Sequence, residues 1–173
     1  MKILAICGSL QADSANLTLL RTAAANAPPG ASVQLFDGLR DLPHFNPDIE
    51  SHGAAPEAVR AWREAISASD ALFVASPEYG HSLPGALKNA IDWVIGSGEL
   101  EQKVIAVTAS TPGLERGVLG LQALRITLGA VKAEIVGGDP IVRGPDFDRH
   151  VAELVNALVK AVEVARAASA GAT

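Results

Sequence analysis

Residues 2–16, KILAICGSLQADSAN, decide how this chain is read. The first six residues are an aliphatic run without polar alternation. A strand buried on both faces, as in a parallel sheet, has that pattern. Gly8 ends the run and permits a tight turn with close approach to the backbone. Ser9, Gln11, Ser14 and Asn16 follow, with Ser14 placed to cap a helix that begins near residue 16. Two readings stand for this loop. It is a strand-to-helix turn with ordinary capping residues, or a cradle whose free amides and hydroxyls hold an anion at a helix N-terminus.

Outward from this unit, strand and helix signals alternate. Aliphatic runs recur at 32–37 (SVQLFD), 70–76 (DALFVAS), 103–110 (KVIAVTAS) and 133–138 (AEIVGG). Between them, residues 84–95 place Leu87, Ala90, Ile91, Val94 and Ile95 on one helical stripe. Residues 151–162 do the same with Val151, Leu154, Val155, Leu158, Val159 and Val162. Residues 56–68 place Val59, Trp62 and Ile66 on one side. Residues 16–25 and 118–128 read as helices by composition. Five strands alternating with five helices predict βαβ units, right-handed crossovers and a three-layer α/β sandwich. The expected architecture is the flavodoxin-like one, with a five-stranded parallel sheet in the order 2-1-3-4-5 and a single domain over 1–173. Residues 38–56 lack strong helix or strand signals and form a long connection, a place where function often sits. The end of the chain, 165–173, is predicted to fray.

Bulk properties narrow the function. The 173 residues carry a net charge of −5, and no basic run occurs, which argues against nucleic acid as a partner. One cysteine, Cys7, makes no internal disulfide, and a cytoplasmic location is the natural expectation. The apolar stretch before Gly8 is too short for a secretory leader, and nothing approaches a membrane span.

In the predicted topology, ligands bind beyond the carboxyl ends of the first and third strands. The loops there are 8–16, 77–84 and, beside them, 110–117. In the second, PEYGHSLP, Pro77 and Pro84 stiffen the ends and Gly80 allows a positive φ. Tyr79, the only tyrosine, either contacts a planar ligand or covers the sheet edge. Walker-type and G-x-G-x-x-G fingerprints are absent. Asp37, at the end of the second strand, reads as a solvated strand end, or as an imitation of the ribose-binding acid of a dinucleotide fold. His81 shows no carboxylate partner in sequence. His44, His52 and His150 have no metal spacing, and Ser76 and Ser110 lack a hydrolase elbow. Cys7 reads as a small core residue, and Trp62 and Trp93 as packing or interface residues. No catalytic side-chain set emerges and no metal site is expected. Such a protein suits chemistry performed by a cofactor.

Two stretches carry a family resemblance. GSLQADSANLTLL (8–20) resembles the phosphate loop G-S-L-R-x-x-S-x-N-x-x-L of NAD(P)H-dependent FMN reductases, the flavodoxin-like group of small quinone, chromate and azo-dye reductases. SPEYGHSLPGALKNAIDWV (76–94) is similar to that family's second signature, S-P-E-Y-x-x-S-x-P-G-x-L-K-N-A-x-D-W. LPHFNPDIE (42–50) resembles a third stretch, and order and spacing agree over about residues 2–140. The resemblance implies FMN and NAD(P)H as cofactors, with Ser9, Ser14 and Asn16 on the flavin phosphate. It implies Pro77, Glu78, Tyr79 and Gly80 along the isoalloxazine ring and Ser110 near the ring or ribityl chain. A hydride would pass from nicotinamide to flavin N5 and on to a quinone-like or other small acceptor, or reduced FMN would leave. A homodimer or homotetramer is implied, with Trp93 suited to its interface. Gln11 stands where the family carries arginine, and Gly80 where asparagine is commoner. Arg116 is a further candidate for a cofactor phosphate. Two other readings are an electron carrier without enzymatic activity and a flavin-free binding protein on the same scaffold.

Overall fold

The computed structural model describes residues 1–51 and 55–171. Five strands, β1 (Lys2–Cys7), β2 (Ser32–Leu35), β3 (Ala71–Ala75), β4 (Val104–Thr111) and β5 (Glu134–Val142), form one sheet. The helices are α1 (Ala15–Ala25), α2 (Pro47–Ser51), α3 (Glu57–Ser67), α4 (Gly85–Ile95), α5 (Val118–Ala130) and α6 (Phe147–Gly171), with a 3-10 turn at Gly38–Asp41. The strand order is β2-β1-β3-β4-β5, and every pairing is parallel. The predicted topology is therefore the observed one.

Strand periodicity builds the two cores. Successive residues of a strand point to opposite faces. Ile3 and Ala5 of β1, Ala71, Phe73 and Ala75 of β3, and Val104 and Ala106 of β4 face α1 and α6. Leu4 and Ile6, Leu72 and Val74, and Ile105 and Val107 pack against α3, α4 and α5. Both sheet faces are thus apolar, which is why these strands read as unbroken runs rather than alternating ones.

Three expectations shift. The fifth strand continues past residue 138 to Val142, because Gly137 and Gly138 adopt φ of +74° and +117° and let the chain jog. Pairing with β4 resumes after the jog at Ala109–Pro140, a proline that edge position tolerates. The end of the chain stays helical to Gly171, since its alanines are strong helix formers and Arg166 pairs with Asp70. The connection 38–56 holds the 3-10 turn and α2, with His52 outside the described residues.

Part of that connection covers α4. Pro43 O accepts hydrogen bonds from Trp93 Nε1 at 2.8 Å and Asn89 Nδ2 at 2.9 Å. Phe45 meets the Trp93 ring edge-on at 5.1 Å. Trp93 is consequently buried within its own chain, with no exposed surface. This corrects its expected place at a subunit interface. Trp62 is likewise a packing residue, donating from Nε1 to Ala90 O at 2.8 Å and tying α3 to α4.

Candidate functional site

The chain leaves β1 for α1 on one side and β3 for α4 on the other. The crevice between β1 and β3 is therefore the point where strand order reverses. Three loops meet at this end of the sheet. The loop 8–14 is seated against β3, where Gly8 N donates to Ala75 O at 2.8 Å. A Cβ at residue 8 would lie 3.0 Å from Ser76 Oγ and 3.2 Å from the Ser76 Cα, so glycine fits this closeness.

Inside the loop, side chains substitute for some missing backbone partners. Gln11 N donates to Ser9 Oγ at 3.2 Å, and Asn16 N to Ser14 Oγ at 3.2 Å. The second bond makes Ser14 the N-cap of α1, as its position predicts. Among the described residues, the amides of Ser9, Leu10, Ala12, Asp13 and Ser14 have no protein acceptor. These free donors at the head of a helix suit a phosphate dianion.

Asn16 has a second task. Its Oδ1 accepts from Ser110 N at 2.8 Å, tying α1 to the end of β4. Asn16 is buried, and its side-chain nitrogen Nδ2 has no protein partner among the described residues. The Ser110 hydroxyl is buried without a partner. A buried orphan donor beside an anion cradle fits a site completed by a polar ligand.

The loop 77–84 is folded as a tight turn. Tyr79 N donates to Ser82 O at 3.0 Å and Ser82 N to Tyr79 O at 3.1 Å. Gly80 and His81 both have positive φ, +57° and +60°, the geometry of a type I′ turn. Glycine at 80 thus serves the expected conformation, while His81 adopts it as a non-glycine residue. The turn brings Tyr79 Oη to 3.5 Å from Ser9 Oγ. Tyr79 remains half exposed, so its ring is open to a ligand. Pro77 and Pro84 bracket the turn, Pro84 at the N-cap of α4.

Glu78 behaves differently from a ring-contacting side chain. Its Oε2 accepts from Gly120 N in the first turn of α5 at 3.0 Å. Its Oε1 lies 3.3 Å from His81 Nδ1, the partner that the sequence did not reveal. The Gly120 amide, then the imidazole of His81, hold the Glu78 carboxyl below the usual carboxylate range. Gly120 makes the approach possible, for a Cβ there would lie 2.9 Å from both Cα and Cβ of Glu78. Sequence reading missed Gly120, whose only signal is a glycine inside a helix.

A cleft of about 280 Å³ flanks loop 8–14 on the β2 side. Gln11 lines it together with Arg21 of α1, Asp37 and Arg40 of the 3-10 turn. Cys7 also borders this cleft, with its Sγ 3.9 Å from Ser14 Oγ, so it is less enclosed than a core position would be. Arg116 lies in the loop after β4, exposed and bordering a surface depression with Leu114.

The likeness to known proteins agrees with this geometry. The family model of NADPH-dependent FMN reductases matches residues 1–144. An NAD(P)H-dependent FMN reductase of Pseudomonas aeruginosa is 42% identical over 120 residues, covering 69% of this chain but only 63% of that protein. The chain thus spans less than two thirds of that relative's length. A quinone reductase of Escherichia coli is 30% identical over 146 residues, 80% of this chain and 78% of that one. Among solved structures, a flavoenzyme NAD(P)H:(acceptor) oxidoreductase of Paracoccus denitrificans superposes with a TM-score of 0.81 at 28% identity. That superposition covers 94% of this chain and 97% of the other. The family-model match over residues 1–144, most of the chain, shows that this chain belongs to the NADPH-dependent FMN reductase family.

Proposed function

We propose that this chain is an NAD(P)H-dependent FMN oxidoreductase acting on a quinone-like or other small acceptor, with release of reduced FMN as the other outlet. The observation that carries the reading is the meeting of an anion cradle with an open aromatic turn, Ser9 Oγ to Tyr79 Oη, across the switch point of the sheet. Bound FMN supplies the hydride chemistry that no side-chain set here provides.

The chain's own residues bind and orient. The free amides of loop 9–14, the Ser9 and Ser14 hydroxyls and Asn16 Nδ2 hold the phosphate, with Gln11 as a neutral contributor where the resembled family has a charge. The backbone of Pro77, Glu78 and Gly80 and the Tyr79 ring line the flavin, while the Glu78 carboxylate fixes that turn to α5. The Ser110 hydroxyl, left without a protein partner, is available to the ligand. Backbone donors near the flavin's pyrimidine edge favour negative charge on the reduced ring.

The reading takes residues 1–173 as one domain, working in a reducing compartment such as the cytoplasm, in keeping with the free Cys7. No helix among the described residues is long and apolar enough to cross a membrane. A homodimer or homotetramer remains part of the proposal. Its support is the exposed Ile95 of α4 and Ile126 of α5, on helices that cover the same sheet face.

The test is flavin titration of the purified chain, followed by oxidation of NADH and NADPH with FMN and a quinone. Saturable FMN binding with flavin-dependent oxidation is expected. Binding without oxidation by any acceptor leaves an electron carrier, and no binding at millimolar FMN leaves a flavin-free protein. A monomeric mass in solution removes the oligomer.

A further inference from the structure

The Tyr79 turn carries a titratable pair that the flavin reading does not use. His81 Nδ1 lies 3.3 Å from Glu78 Oε1, while Glu78 Oε2 accepts from Gly120 N at 3.0 Å. The carboxylate is therefore held at both oxygens, by the first turn of α5 and by the imidazole. The Gly120 amide, then the imidazole, keep it ionised below the usual carboxylate range. An ionised carboxylate only accepts, so His81 Nδ1 carries the shared proton. The second ring nitrogen, Nε2, has no protein partner among the described residues, and the His81 side chain is 80% exposed. An imidazole fixed through one nitrogen by a carboxylate, with the other nitrogen open, is a positioned acid or base.

The surroundings narrow what the imidazole serves. His81 takes the second central position of the type I′ turn at a φ of +60°, where glycine is favoured, so its side chain is placed there against a backbone preference. Two residues earlier in the same turn, Tyr79 Oη reaches Ser9 Oγ at the phosphate loop. One rigid turn thus joins the ligand crevice to the Glu78–His81 pair. Val118 and Leu119, which lead into the Gly120 amide, are both partly exposed and give the pair an apolar border. A flat apolar molecule whose oxygen must gain a proton suits such a border, and a quinone is of that class.

We propose that His81 is the proton donor to the quinone acceptor, with Glu78 as its positioning residue. A quinone that receives a hydride holds two new electrons and one new proton, and one of its oxygens is left anionic. The His81 imidazolium gives its Nε2 proton to that oxygen. The N–H bond breaks with its electron pair staying on Nε2, an O–H bond forms, and a neutral hydroquinone leaves. Nothing is oxidised or reduced in this step. The neutral imidazole keeps Nδ1–H on Glu78 and regains a proton from water at its exposed face. The Glu78 carboxylate aims the ring and balances the imidazolium charge. This role rests on the quinone-reducing reading above and adds the group that completes the product.

The test follows reoxidation of the reduced, FMN-loaded chain by stopped flow with two acceptors. Duroquinone needs a proton from outside the hydride to become its hydroquinone, whereas ferricyanide takes electrons alone. His81→Asn removes the acid and keeps a residue that tolerates positive φ. Its ratio of duroquinone to ferricyanide rate constants is expected to fall by about tenfold or more. Glu78→Gln is expected to lower the same ratio by a smaller factor. A second measurement involves no turnover. The imidazole Cε1–H resonance that His81→Asn removes from the proton spectrum is expected to shift when hydroquinone is added to the FMN-bound parent. A ratio unchanged in His81→Asn, whether or not both rates fall, overturns the proposal, as does a His81 resonance that hydroquinone leaves in place. A ratio unchanged in Glu78→Gln overturns the positioning role. A parent chain that binds no FMN, or that neither acceptor reoxidises, refutes the oxidoreductase reading and this step with it; a parent reoxidised by both, with no change of ratio in His81→Asn, refutes this step alone.

Discussion

Replacing Gly120 by alanine tests the joint that holds the Tyr79 turn. The added Cβ would lie 2.9 Å from Glu78 Cα and Cβ and 3.1 Å from Ser82 O. Carbon atoms pack best at about 3.5–4.0 Å, so the turn and the helix must separate by several tenths of an ångström or more. The neighbours are backbone and a Cβ, not the end of a flexible side chain. α5 is fixed by the fully buried Leu121 and Leu124, so the turn is the part that yields. Overpacking of this kind costs about 1–3 kcal/mol, while alanine gains about 1 kcal/mol over glycine in a helix interior. The net expectation is a loss of about 0–2 kcal/mol in urea unfolding. The Glu78–Gly120 bond lengthens and Tyr79 shifts from Ser9, so FMN affinity falls about tenfold, equivalent to about 1.4 kcal/mol. Flavin fluorescence titration reads the affinity. Gly129→Ala is the internal control, because its Cβ meets nothing within 4 Å on the same helix. It should only stabilise, by about 0.5–1 kcal/mol. A Gly120→Ala chain that gains stability as Gly129→Ala does, and binds FMN within twofold of the parent, would refute the reasoning.

Gln11→Arg should tighten FMN binding by about tenfold, since a guanidinium adds charge assistance that a neutral amide lacks; unchanged or weaker binding would remove loop 8–14 from the phosphate. Asn16→Leu should cost about 1–3 kcal/mol in urea unfolding by leaving the Ser110 amide without its acceptor, and a loss below measurement error would show that this tie is dispensable. Glu78 has a lowered carboxyl pKa in the folded chain, so its contribution is present above the unfolded value and is lost as pH falls through the folded one. Glu78→Gln should therefore be less stable than the parent near neutrality, with the difference vanishing under acid conditions; a gap that persists undiminished at the acid end contradicts the carboxylate clamp.

The sequence by itself determined the strand-helix alternation and the strand order, and with that order the point where it reverses. Those follow from local pattern: unbroken aliphatic runs mark strands covered on both faces, and Ser14 caps the helix that its position predicts. Gly80 was legible for the same reason, because a positive φ is a property of one residue in one turn. Tertiary structure decided what depends on distant partners. It turned the Glu78 side chain toward Gly120, 42 residues away in the chain, and gave His81 its carboxylate. It buried Trp93 under Pro43 and Phe45, where helical periodicity alone left its outer neighbour open. It carried β5 through the Gly137–Gly138 jog, a pair that reads locally as a stop. It also gathered Gln11, Arg21, Asp37 and Arg40 into one cleft from three separate elements. Periodicity states which face of an element is apolar, but only packing brings side chains from different elements close enough to bond, clash or share a ligand.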